Sequence, residues 1–241
     1  MVGKKSRFAV ALALLLVPSA AFGAAVTVKG RLAGTQKLLN PVWTEAEKPL
    51  AHRYTFREPS VTTRIDARTL TAQLDKEVAI VATTDAGGVK VKGNMVLLGG
   101  RISPVTLVVS QNEAVQIENK DPFPHRVYDT GNKGLQAGET PPNKARTWTP
   151  PGPGKYEIRD QAMPSVRGWI VVEPKAVAVA YPDRKGEFSI DLEPGKYKLR
   201  AFHNGEHVGT ELELVVNPAP AEQQLKSPLL VSKETKKDEK K

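Results

Sequence analysis

The 241-residue chain has no cysteine. It can therefore form no disulfide, no thiolate metal ligand, no cysteine nucleophile and no lipid attachment through a cysteine. The usual signatures of hydrolases and nucleotide enzymes are missing too: no Gly-x-Ser-x-Gly elbow, no His-Glu-x-x-His pair and no phosphate loop. A non-catalytic protein is the expectation. Past the N-terminus, no segment reaches the roughly 20 apolar residues needed to span a bilayer. A strong excess of one charge is also lacking. Of the net +9, three charges (Lys4, Lys5 and Arg7) lie at the extreme N-terminus and two belong to residues 222–241, so the body keeps only +4. That is well short of a nucleic-acid-binding footprint, and no nucleic-acid partner is expected.

What is present begins with Lys4, Lys5 and Arg7, an apolar run from Phe8 to Val17, and Pro18-Ser19-Ala20-Ala21-Phe22-Gly23. A basic region, a short apolar region and a small-residue cleavage site in that order describe a secretory signal peptide over residues 1–23. The expected location is periplasmic or secreted, with no transmembrane segment after cleavage. The other end, residues 218–241, runs from Pro218-Ala-Pro220 to Lys233-Glu-Thr-Lys236-Lys237-Asp-Glu-Lys240-Lys241. So polar a stretch buries too little apolar surface to offset the entropy of ordering it, and a solvated tail is expected, with contact to anionic envelope surfaces as the sharper alternative.

Between these ends, short β-branched and apolar runs alternate with Gly, Pro and Asn, the pattern of an all-β protein. Strands are expected at Val26–Leu32, Val78–Thr83, Val89–Leu98, Val105–Val109, Ala114–Glu118, Thr147–Thr149, Tyr156–Arg159 and Gly168–Val172. Asp85-Ala-Gly87-Gly88 reads as a hairpin turn between the second and third of these. Arg68–Glu77 offers a weak helical window, with Leu70 and Leu74 one turn apart. The segment around His52, Tyr54, Phe56 and Arg57 reads as a strand or a partner-binding edge.

Asn204-Gly205 is a strong two-residue hairpin signal, because both turn positions need positive φ. It predicts pairing of His203 with Glu206, Phe202 with His207 and Ala201 with Val208. Tyr197, Leu199, Ala201, Val208 and Leu212 then share a buried face, with His203 at its rim and His207 pointing away. His203 and His207 straddle a turn, so their spacing gives no helical metal chelate.

Asn119-Lys-Asp121-Pro-Phe123-Pro124-His125-Arg-Val127-Tyr128 resembles the first ligand loop of cupredoxins, the plastocyanin-like copper proteins. Gly154-Lys-Tyr156-Glu-Ile158-Arg-Asp160-Gln-Ala-Met163-Pro164-Ser-Val166-Arg-Gly168-Trp169-Ile-Val-Val172 resembles the second, where the family reads Gly-x-Tyr-x-Phe-x-Cys-x-x-His before a Gly-x-(Ile/Val)-Val strand. The resemblance implies a Greek-key sandwich and sets His125 at the first histidine ligand. It sets Asp160 at the cysteine, Met163 at the second histidine and Val166 near the axial methionine. One ligand of four keeps its type. A blue-copper centre needs a thiolate in a His₂Cys set, so a degenerate site with no metal and no cofactor is expected. His125, Asp160 and Met163, with His203 as a further donor, form a remnant set for a non-blue Cu(II) or Zn(II) ion as the alternative. The other expectation is that Asp160 pairs with His125, Arg126 or Arg159, replacing a metal cross-link by hydrogen bonds and charge.

Residues 177–203, carrying Asp183-x-x-Gly186-x-Phe188-x-Ile190 and Pro194-Gly195-x-Tyr197-x-Leu199-x-Ala201, resemble a carboxypeptidase regulatory-like (transthyretin-like) module. The two together are similar in architecture to methylamine-utilisation-like proteins. The expected organisation is residues 1–23 signal peptide, 24–101 an N-terminal β region, 102–174 the cupredoxin-like region, 175–217 the regulatory-like strands and 218–241 the tail. The last β module is too short for its own core, so Val26–Leu32 is expected to complete it, with the cupredoxin-like part inserted. The function expected is an exported binding or scaffold module whose partner is an envelope protein or glycan. The candidate surfaces are the loop Asp129–Lys144 and, where solvent-facing, Trp43 and Trp148, although the strand Thr147-Trp148-Thr149 favours Trp148 in the core.

Overall fold

The computed structural model describes residues 25–38 and 71–232. The expected signal peptide, Trp43, the His52–Arg57 segment, Leu70 and the last nine residues lie outside them.

Sixteen strands carry the described chain. They are β1 (Val26–Ala33), β2 (Val78–Thr83), β3 (Gly93–Leu98), β4 (Arg101–Ser103), β5 (Thr106–Val109), β6 (Val115–Asn119), β7 (Val127–Asp129) and β8 (Ala145–Trp148). There follow β9 (Gly154–Asp160), β10 (Arg167–Val172), β11 (Ala176–Ala180), β12 (Glu187–Leu192), β13 (Gly195–His203), β14 (Glu206–Val216), β15 (Glu222–Gln224) and β16 (Leu229–Leu230). The expected helical window contributes one turn, Leu74–Glu77, which buries Leu74 and leads straight into β2.

Four sheets stack face to face. The outer sheet β12-β1-β15, with β16 also on β1, lies against β11-β2-β13-β14; the next two are β5-β10-β9-β7 and β4-β3-β6-β8. Period-two alternation explains how one strand serves two layers. On β2, Val78, Ile80 and Ala82 enter the core shared with Val26, Val28, Phe188, Ile190, Leu199 and Leu214. Its intervening Ala79 and Val81 meet Val108, Val171 and Phe202 in a second contact layer. On β5 and β10, Leu107, Val109, Ile170 and Val172 turn the opposite way, to Met95, Leu97, Ile117 and Ile158. All six residues of β2 are consequently buried. A strand buried on both faces reads as a continuous apolar run, as Val-Ala-Ile-Val-Ala-Thr does.

β1 pairs antiparallel with β12 from Val26↔Leu192 to Arg31↔Glu187. β2 sits between β11 and β13. The second sandwich, β3 to β10, is therefore inserted between β2 and β11. Its entry and exit are held together where the Thr84 amide donates to the Lys175 carbonyl at 3.2 Å, beside a Lys175–Asp85 ion pair.

Three expectations are corrected. Residues 218–232 are no solvated tail: β15 and β16 pair in parallel with β1, and Leu229 and Val231 are buried in the core, because the apolar Leu229-Leu230-Val231 run can cover the outer sheet. Asp85–Gly88 makes no hairpin: β2 pairs with β11 and β13, while β3 pairs in parallel with β6. The turn residues there start a crossover between sandwiches, and Val89 is exposed, so β3 begins only at Gly93. For the same reason the division at 101/102 falls within the second sandwich, since β3 and β4 belong to its outer sheet.

The Asn204-Gly205 turn has φ of 52° and 75° at its two positions. It sets Ala201↔Val208, Phe202↔His207 and His203↔Glu206 opposite one another. Leu199 and Ala201 are fully buried, with Tyr197, Val208 and Leu212 packed beside them. His207 packs edge-on against Phe202 at 5.8 Å.

Candidate functional site around His125

Asn119, fully buried at the end of β6, shapes the loop that carries His125. Its side-chain amide donates to the carbonyls of Phe123 (2.9 Å) and Thr140 (2.8 Å), while its Oδ1 accepts from the Asp121 amide at 2.8 Å. Two prolines at 122 and 124 restrict the same loop. The backbone of His125 then exchanges hydrogen bonds with Thr140, at 3.1 and 2.7 Å. The imidazole is thereby driven inward to zero exposure, with the Phe123 ring 4.9 Å away.

Both ring nitrogens meet carboxylates. Nδ1 contacts Asp160 Oδ2, and Nε2 lies 3.0 Å from Asp121 Oδ2. Asp121 also accepts from the Gly99 amide (2.6 Å, to Oδ1) and the Gly100 amide (2.9 Å, to Oδ2), which form the two-residue turn between β3 and β4. Burial works to push the Asp121 carboxyl up, but the Gly100 and Gly99 amides and the His125 ring together outweigh it and hold the group below its ordinary value. Asp160 Oδ1 accepts from the amides of Arg126 (3.1 Å), Ala162 (2.7 Å) and Met163 (3.3 Å). All three side chains are buried and have defined partners.

The sequence pointed to His125 and Asp160 and to contact between them. Asp121, the second carboxylate, went unnoticed. Its signal was its place two residues after the loop-folding Asn119 and four before His125, in a loop stiffened by proline. Met163 is half-buried and leans over the β3–β4 turn, where a Cβ on Gly100 would meet its Cγ at 3.4 Å. Val166 is core. His203 belongs to the other sandwich, with Nε2 3.5 Å from Glu77 Oε2. The structure pairs Asp160 with His125 and with the Arg126 backbone; Arg159 instead turns to Glu157 at 2.9 Å.

A blue-copper ion does not fit this arrangement. The position that the resemblance gives to the thiolate holds Asp160, whose Oδ1 takes three amides and whose Oδ2 meets His125, and both histidine nitrogens are already engaged. Among the described residues no group of three or more His, Asp or Glu side chains is disposed to hold a metal ion. Nor does Trp148 offer a surface: it is 8% exposed and packs edge-on to Tyr156 at 5.3 Å. In the loop 129–144, the buried Asp129 carboxylate caps the amides of Gly131 and Lys133, and Leu135 is core.

No protein-family model and no curated protein matches the chain. Solved structures similar to part of it include a purple cupredoxin from Nitrosopumilus maritimus, at 16% identity and a TM-score of 0.31, covering 34% of this chain and 100% of that one. A reduced amicyanin variant is 19% identical over 39% of this chain and 99% of its own, with a TM-score of 0.31. A Cu(I) form of another amicyanin variant is 19% identical over 38% and 98%, with a TM-score of 0.32.

Proposed function

We propose that this protein is an exported, non-catalytic β-sandwich module of the cell envelope that binds or scaffolds a partner, and that its type 1 copper site has been lost. One observation carries the reading. The histidine at the family's first ligand position has both ring nitrogens taken by carboxylates, in a site closed to solvent. Such a cluster offers no open coordination position and no exposed nucleophile. The resemblance to a regulatory-like module, a fold that often occurs without catalysis, supports the same reading for the sandwich built from β1, β2 and β11 to β16. An envelope protein or glycan is the class of partner. Export rests on the N-terminal sequence alone, and no helix of the described residues is long and apolar enough to cross a membrane.

The test is a Cu(II) titration of the mature chain, made without a histidine tag, beside its His125→Ala variant. Binding weaker than micromolar in both, with no difference between them, is the expected result. Stoichiometric tighter binding that disappears in His125→Ala would replace this reading with that of a metal-binding redox accessory.

A further inference from the structure

The groups around His125 connect segments far apart in the chain and in different sheets. Asp121 follows β6, in the outermost sheet of the second sandwich, and holds the Gly99-Gly100 turn of that sheet. Asp160 ends β9, in the facing sheet, and holds the amides at Arg126 and Ala162. His125 stands between the two carboxylates. We infer that Asp121–His125–Asp160 is a clasp, built from protein groups alone, that fixes the β3–β4 turn, the 119–125 loop and the 160–166 loop as one rigid unit across the end of the core.

The chemistry of the three groups requires the histidine to be the joint. A carboxylate pinned by backbone amides presents only acceptor oxygens to its remaining neighbour. Two such groups facing each other in a dry site repel, and the His125 ring between them keeps them apart while giving each a nitrogen partner. A further direct bond between the turn and the 160–166 loop runs from Ser165 Oγ to the Gly100 carbonyl, at 3.0 Å. Outside the clasp the three segments carry exposed Leu98, Pro122, Pro124 and Pro164, with Phe123 and Met163 half-buried. The clasp thus presets the shape of an apolar pole. If each carboxylate merely capped its own loop, with His125 a passive filler, the segments would open independently.

The inference rests on the reading that no metal sits at His125, and the experiment separates the two. Amide hydrogen exchange is followed by NMR on the full mature chain before and after chelation. In the native protein the amides of Gly99, Gly100, Arg126 and Ala162 are expected to open with one shared free energy. In His125→Gln all four are expected to speed up together by about tenfold or more, the scale of a lost charge-assisted hydrogen bond, while Ile80 on β2 stays unchanged. Should that variant fail to fold, Asp121→Asn serves instead. It is expected to accelerate Arg126 and Ala162, which Asp121 does not touch. Separate openings in the native chain, or effects confined to each group's own contacts, overturn the clasp. Acceleration of the native chain by chelation alone would instead overturn the metal-free reading of function.

Discussion

The strongest single-residue consequences lie at His125, Asp121 and Asp160. Removing one member of a buried hydrogen-bonded charged set strands the others, at a cost of about 3–5 kcal/mol. Asp160→Asn is therefore expected to lower the melting temperature substantially; an unchanged value would refute the pairing. Asp121 gives a prediction of definite sign. A carboxyl held below its ordinary value stabilises the fold fully above that value and loses the contribution as the pH falls through the folded one. Stability of the native chain should thus fall steeply below about pH 4. In Asp121→Asn that part of the slope should be missing. A variant curve parallel to the native one under acid would contradict it. At this scale the sequence disclosed two of the site's three residues. His125 and Asp160 stood out because they align with a known loop pattern. Asp121 did not, because its role depends on the amides of a turn 21 residues upstream, a distance no local pattern spans.

Among the elements, the β13–β14 hairpin was legible to the residue, since Asn204-Gly205 fixes both turn type and register. The Asp85–Gly88 turn misled, because Gly-rich segments serve equally as hairpin turns and as crossovers. The deciding factor was the all-buried β2, which requires neighbours and covering layers on both sides. Further along the hairpin, Gly209 has φ +75°, and a Cβ there would lie 1.7 Å from the Leu230 carbonyl oxygen. This is where β16 crosses over β14. Gly209→Ala is expected to cost at least about 1–3 kcal/mol from backbone strain alone, read as a lower midpoint in denaturant. It should also release the C-terminal strap, whose Leu229 and Val231 are core residues, to proteolysis. A midpoint equal to the native one would show that the strap packs otherwise.

For the whole molecule, the four stacked sheets predict cooperative unfolding. The inserted sandwich shares a buried layer with its host through Ala79, Val81, Val108, Val171 and Phe202. A single calorimetric transition is therefore expected, with calorimetric and van't Hoff enthalpies equal. Phe202→Ala, which removes the largest of that layer's buried side chains at about 3–5 kcal/mol, is expected to separate it into two. Two transitions already present in the native chain would mean that the sandwiches fold independently. That β1 would complete the C-terminal strands was foreseeable from chain length, because so few residues cannot enclose a core. The stacking of two sandwiches was not, because alternation shows that a face is apolar without showing what covers it. The central claim, that the cluster around His125 is complete without a metal ion, is tested most directly by native mass spectrometry of the chain purified from copper-supplemented cells. A mass equal to that of the polypeptide alone is predicted; one copper per chain, lost in His125→Ala, would contradict it.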